Sequence, residues 1–532
     1  MAEEILIRGG LMVDGTGAPP VSADIGVVGS RIVEIGRDLP SARARVIDAD
    51  GMIVAPGFID VKTHSDWTLP LMPLCESKVR QGVTTEVIGH CGYSCAPVLP
   101  GKATALASYL GPSAPWLDFR ETSFADYVAS FPPTSLNRVM LVGHNTLRLM
   151  AMGLDDRPAE AHELALMRKL LIEALDAGAA GLSSGLFTPP GAFATAAELV
   201  ELGLELRRRG AFYFTHLRDE ADDIDAALAE AIDFGRQTGV HVQISHVKLS
   251  GMDNWGRANL LLDKLATARA EGIAIDCDQY PYTAASNPLK NLFPPWLQEG
   301  GVDAMLDRLS SADTRTRLAG DMEGMRLNNF GRVSDWGAIR VSISPNLPEN
   351  AGLTIAEIAA RRGVDEFDAA CDYLAADRGQ TRVLVEAISE EDVRTFIRSP
   401  HVMVGSDGNS VAPYGMTSQG RPHPRFYGTF ARILGRYVRD EGLLPLEAAI
   451  HKMTGLTAQM LHLQDRGTLR PGAAADIVVF DADIIDERAT YENPHRYAVG
   501  INHVLVNGTH VIADGNHTGA LPGMMLRPSE RT

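Results

Sequence analysis

Between residues 139 and 408 the chain repeats one texture: a short, continuous apolar run that stops at a polar residue or glycine. The runs are VMLVGH, AAGLSSG, AFYFTHL, VHVQISHVK, IAIDCDQYPY and HVMVGSDG. A strand that faces solvent on one side alternates apolar and polar residues; a strand buried on both faces reads as an unbroken apolar run. Amphipathic segments lie between several of these runs: AEAHELALMRKLLIEALDAG, AELVELGLELRRRG and IDAALAEAIDFGRQTG. Buried strands alternating with helices predict repeated βα units. The expected architecture is α/β, with the units closing into a (β/α)8 barrel.

The two chain ends have a different texture. Residues 1–56 alternate apolar and polar positions between glycine-rich turns, as in EILIRGGLMVDG and ADIGVVGSRIVEIG. The same alternation returns in ADIVVFDAD and INHVLVNGTHVIADG near the other end. Neither set has enough strands to bury a face alone, so the two are expected to combine into one small β-sandwich. This divides the chain into 1–56, a barrel over 57–465 and 466–532. Residues 288–350 break the barrel rhythm and are read as an insertion over the barrel mouth.

A net charge of −18 repels phosphate backbones and anionic lipid, which excludes nucleic acid and membrane as expected partners. No stretch approaches the roughly 18 uninterrupted apolar residues of a membrane span, and the opening MAEEILIRGG does not read as a signal peptide. Five cysteines are an odd and sparse set for a chain of 532 residues. They point to a reducing compartment, the cytoplasm, rather than to a disulfide framework.

The residues capable of chemistry fall at the ends of the apolar runs. His64 follows GFIDVKT, Cys91 follows TTEVIGH, His216 follows FYFT, His246 follows HVQIS and Asp407 follows HVMVGS. Singly, each has an ordinary reading: a core histidine, a small buried cysteine, a turn-forming aspartate. Together they are a different matter, because the strand C-termini of a barrel face one shared pocket. One thiolate and two imidazoles form a zinc set that leaves a position open, with Asp407 beside it as proton acceptor or as ligand to a second ion.

Longer stretches carry a resemblance. VAPGFIDVKTHSD, RQGVTTEVIGHCGYSCAP, GLSSGLFTPPG, THLRDE, ISHVKLSG, DQYPYTAAS and RPHPRFYGTFARILG occur in that order. With MTGLTAQMLHLQDRGTLRPGAAADIVVFD, they resemble the D-aminoacylases, the N-acyl-D-amino-acid deacylases of the amidohydrolase superfamily, over nearly the full length. The resemblance implies a TIM-like amidohydrolase barrel and a tightly held zinc on Cys91, His216 and His246. It also implies Asp407 as general acid and base, with Lys248, Tyr282, Ser286 and Arg425 holding the substrate carboxylate. The implied substrate is a small N-acyl amino acid; oligomeric state stays open.

One position departs from the pattern. The family has His-x-His at the first strand end, and this chain has Lys62-Thr63-His64. An ammonium is a poor ligand while protonated, so a second metal site at His64 and Asp407 is expected to be weak or lost, leaving one zinc. Lys62 is expected to pair with Asp407 and keep it ionised; the alternative is a substitution that simply lowers activity.

The expected reaction is zinc-dependent hydrolysis of N-acyl-D-amino acids. The alternatives are another amide or cyclic-amide hydrolase of the superfamily, or a binding protein descended from an enzyme. LFTPPG (186–191) and the region 288–300 are candidates for lining the side-chain pocket. An apolar pocket is favoured over one charged by Lys290.

Overall fold

The computed structural model describes residues 4–41, 44–114 and 116–529. Eight strands form one parallel sheet: Phe58–Asp60, Val83–Ile88, Asn137–Gly143, Gly181–Gly185, Phe212–His216, Val242–Ile244, Ile275–Gln279 and Val402–Val404. Neighbours in the sheet follow chain order, and each pair is parallel. Nearly every residue in them is buried, with Asp276 half-buried, which is why the sequence shows runs rather than alternation.

Helices Ala161–Asp176, Ala196–Arg208, Ile224–Thr238 and Ala258–Ala270 follow the third, fourth, fifth and sixth strands. Their ends obey local chemistry. Thr195 caps the second of these by accepting from the Glu198 N–H, and Gly239 ends the third in the left-handed region.

The first and eighth strands share no ladder, yet the ring closes just beyond their C-terminal ends. The Asp407 N–H donates to the Lys62 carbonyl at 2.8 Å, and the His64 N–H donates to the Gly408 carbonyl at 2.9 Å. A parallel bridge joins Thr63 and Gly408. The seam of the barrel is therefore stitched at its C-terminal rim, where barrel enzymes place their chemistry.

Residues from both chain ends build a second, nine-stranded mixed sheet. Strand Ile477–Phe480 pairs antiparallel with Ile53–Pro56 and splices the C-terminal set onto the N-terminal one. The sheet curls, so that the Ile32 N–H reaches the Ala473 carbonyl at 2.9 Å. Its enclosed face holds Ile5, Ile7, Ile25, Val27, Ile47, Val54, Ile477, Val479 and Leu505. Neither end supplies that core alone.

Between the seventh and eighth barrel strands the chain makes an excursion over residues 280–401. It includes an antiparallel three-stranded sheet in which Arg382–Glu386 lies between Ala284–Pro288 and Ile339–Ile343. Its strand Ala284–Pro288 brings Ser286 to the barrel mouth. Among the described residues no helix is long and apolar enough to cross a membrane, and all five cysteines are free.

Candidate active site

Three strand ends bring Cys91, His216 and His246 together, with their ligand atoms all within 4.8 Å of one another. Cys91 Sγ lies 3.6 Å from His216 Nδ1 and 3.4 Å from His246 Nε2. Cys91 follows the second strand in a turn with no spare room. A Cβ on Gly92, at φ +77°, would sit 2.1 Å from Asn145 Oδ1, so this position excludes any side chain.

The other nitrogens of the two histidines both face one carboxylate. Glu220 Oε2 lies 3.1 Å from His216 Nε2, and Oε1 lies 3.1 Å from His246 Nδ1. Imidazoles protonated toward Glu220 direct the lone pairs of His216 Nδ1 and His246 Nε2 toward Cys91, the arrangement a metal centre requires. Burial works against the Glu220 charge. His216, Lys248 and His246 overcome it and hold the carboxyl well below the usual range. Burial pushes the Cys91 thiol up to about 12, against the pull of Lys62. A soft sulfur and two imidazoles so disposed fit a zinc ion.

Asp407 stands beside this triad with both oxygens engaged. Lys62 Nζ donates to Oδ1, and Arg425 Nη2 contacts Oδ2 at 2.6 Å. The Lys62 ammonium also lies 2.7 Å from His64 Nε2, itself 3.2 Å from Asp407 Oδ1. Burial would raise the Asp407 pKa, but Arg425 and then Lys62 outweigh it and keep the carboxyl well below its ordinary range. Burial and the neighbouring Lys62 push His64 down to about 3, so its ring is neutral.

Cys91, His246 and Asp407 share a backbone signature: φ values of 55°, 39° and 51°. Left-handed non-glycine residues are uncommon and cost of order 1–3 kcal/mol each. Three of them converge on one site, each turning its side chain inward from a strand end.

The cavity above these groups is lined by Trp67, Tyr93, Phe187, Tyr280, Ser286, Arg382 and the residues just named. Phe187 stacks on the His216 ring with centroids 4.0 Å apart. Lys248 lines the cavity too, but its Nζ is committed to Glu220 at 2.6 Å. Arg425 keeps Nε and Nη1 without a protein partner while buried.

One sequence expectation needs correcting. Tyr282 does not reach the cavity; its hydroxyl donates to Glu487 at 2.8 Å, under the Arg432 guanidinium. The seventh strand ends at Gln279, and the turn that follows aims Tyr280 inward and Tyr282 outward. Tyr280 lines the cavity with a buried hydroxyl that has no protein partner, its ring 4.7 Å from the Arg425 guanidinium. Lys290 lies in a separate cavity with Asp155, Gln298 and Arg378, so it does not charge this pocket. Sequence reasoning passed over Glu220, whose one signal is an acid four residues after His216, and Arg382, which has none.

A model of the Amidohydrolase family matches residues 45–512. An N-acyl-D-glutamate deacylase of Alcaligenes xylosoxydans xylosoxydans is 39% identical over 528 residues, spanning 98% of this chain and 96% of the relative. A D-aminoacylase of the same organism is 37% identical over 526 residues, spanning 98% and 97%. Among solved structures, the N-acyl-D-glutamate deacylase of Bordetella bronchiseptica, complexed with zinc and a phosphonate inhibitor, superposes with a TM-score of 0.82. It is 38% identical and covers 99% of this chain and 100% of its own.

Proposed function

This chain belongs to the amidohydrolase family, in the branch of the D-aminoacylases and N-acyl-D-amino-acid deacylases, and from that premise we propose that it hydrolyses N-acyl-D-amino acids with a single zinc ion. The products are a carboxylate and a free D-amino acid. The carrying observation is the buried set Cys91, His216 and His246 beside an Asp407 whose charge is fixed by two cations.

Cys91, His216 and His246 would hold the zinc, which when bound supplies Lewis acidity toward a carbonyl oxygen and lowers the pKa of water. Asp407 serves as proton acceptor from the attacking water and returns that proton to the amide nitrogen. Without it, the amine is a very poor leaving group. Arg425 offers its unpaired Nε and Nη1 to the α-carboxylate of the substrate, with the free hydroxyl of Tyr280 close by. An arginine fork suits a carboxylate because its N–H bonds are directional and charge-assisted.

Lys62 gives the site its single-ion character. Its ammonium lies between His64 and Asp407, the two residues expected to form a second metal site. A fixed cation there repels a second metal ion and neutralises Asp407 Oδ1 in its stead. Stereochemistry follows from two anchors. With the carboxylate on Arg425 and the carbonyl over the triad, one enantiomer directs its side chain into open cavity and the other into the wall.

The test is an enantiomer-resolved panel on zinc-loaded protein: N-acetyl-D-amino acids, N-acetyl-L-amino acids and cyclic amides. Release of D-amino acids alone is expected, and Asp407→Asn should keep its zinc while losing about 10³-fold in kcat. Turnover of the L series or of cyclic amides in place of the D series would overturn the reading.

A further inference from the structure

Arg382 opens the central strand of the small sheet over the barrel mouth, opposite Pro288, and its side chain lines the catalytic cavity. Every other cation around that cavity has a carboxylate. Lys62 and Arg425 share Asp407, and Lys248 has Glu220. Arg382 has only neutral partners: Nη1 donates to Ser113 Oγ at 2.6 Å, and Nη2 faces Ser286 Oγ at 3.3 Å and the Ser286 carbonyl at 3.5 Å. Among the described residues no carboxylate lies within ion-pair distance of it. A guanidinium carries five N–H donors, and these contacts occupy three at most.

The charge around the cavity shows what is missing. Lys62, Lys248, Arg382 and Arg425 face two carboxylates, Asp407 and Glu220, which leaves two positive charges before any metal is counted. Burial, and next the neighbouring Arg425, lowers the Arg382 pKa to about 10, so the group is charged at neutral pH. A monocarboxylate docked on Arg425 satisfies only one of the two guanidinium groups. Trp67, Trp116 and Tyr93 wall the same cavity with rings and offer no second anion.

We infer that Arg382 is a specificity-determining residue that binds a second carboxylate, the one on the substrate side chain. The preferred substrates are then N-acyl derivatives of acidic D-amino acids. Ser113 and Ser286 hold the guanidinium at the cavity wall without neutralising it, as a site awaiting an anion requires. The inference rests on the deacylase reading and narrows it. It also replaces the expectation of an apolar side-chain pocket, and the cation responsible is Arg382 rather than Lys290.

The experiment compares kcat/KM for N-acetyl-D-glutamate, N-acetyl-D-aspartate, N-acetyl-D-leucine and N-succinyl-D-leucine, in wild type, Arg382→Gln and Arg382→Lys. Wild type should favour an acidic substrate over the leucine derivative. Arg382→Gln should reduce that ratio about 100-fold, the worth of a lost hydrogen bond to a charged group. Arg382→Lys should recover part of it, because the charge returns without the fork. Zinc content and melting temperature establish that each variant is folded; should Arg382→Gln not fold, the wild-type ratio and Arg382→Lys decide.

An unchanged ratio, or a wild type that prefers N-acetyl-D-leucine, overturns the assignment. So does an Arg382-dependent gain confined to N-succinyl-D-leucine, which would move the anion to the acyl group. If wild type hydrolyses no N-acyl-D-amino acid, the deacylase reading falls and takes this inference with it. Hydrolysis of the leucine derivative without any effect of Arg382 removes the inference alone.

Discussion

Replacing Glu220 by glutamine changes one atom and should loosen the zinc. The carboxylate faces four nitrogens: His246 Nδ1 at 3.1 Å and Lys248 Nζ at 2.6 Å on Oε1, with His216 Nε2 and Asn329 Nδ2, both at 3.1 Å, on Oε2. A glutamine has one acceptor and one NH2. Whichever way the amide turns, one histidine faces a donor and loses the partner that fixes its tautomer. Loss of such a partner typically weakens metal binding 10–100-fold. At about 1.36 kcal/mol per tenfold, this is about 1.4–2.7 kcal/mol. Lys248, 4% exposed, also loses its counter-ion, which costs about 3–5 kcal/mol of stability where the ammonium stays charged. Chelator competition on the loaded protein reads the first quantity, and denaturant unfolding of the zinc-free protein reads the second. Zinc affinity within twofold of wild type would refute the claim that Glu220 orients the two imidazoles.

Two further outcomes follow from the same cluster. Lys62→His removes the built-in cation and supplies a ligand beside His64, so zinc per chain, measured by elemental analysis, should rise from one toward two; a constant value of one would contradict the role given to Lys62. His64 is held down at about 3, so between pH 6.5 and 3 the unfolded chain takes up a proton there that the folded chain refuses. Stability should therefore fall as pH drops through that window, and urea midpoints of His64→Gln should fall less steeply than those of wild type.

The barrel was legible because its strands are buried on both faces, so that no alternation disguises them. The candidate metal-binding set was legible for a related reason: Cys91, His216 and His246 each stand where an apolar run stops. Local pattern failed where direction depends on a turn or on a distant partner. Tyr280 and Tyr282 would share a face in a continuing strand, but the strand ends at Gln279 and they diverge. Arg382 reaches the cavity through pairing with a strand some 96 positions earlier, and nothing adjacent to it in sequence signals this. Glu220 sits behind the histidines rather than among the strand ends, so a search for ligands passes it by.

The stitched rim has a consequence for how the molecule comes into being. Lys62 and Asp407 lie 345 positions apart, and the segment that brings the aspartate is the last stave of the cask. A growing polypeptide carries Cys91, His216 and His246 before that stave is made. It lacks Asp407, the proton acceptor proposed above, until that stave is made. On the proposed mechanism, a nick that frees the last stave would disarm the protein while leaving Cys91, His216 and His246 on the other staves.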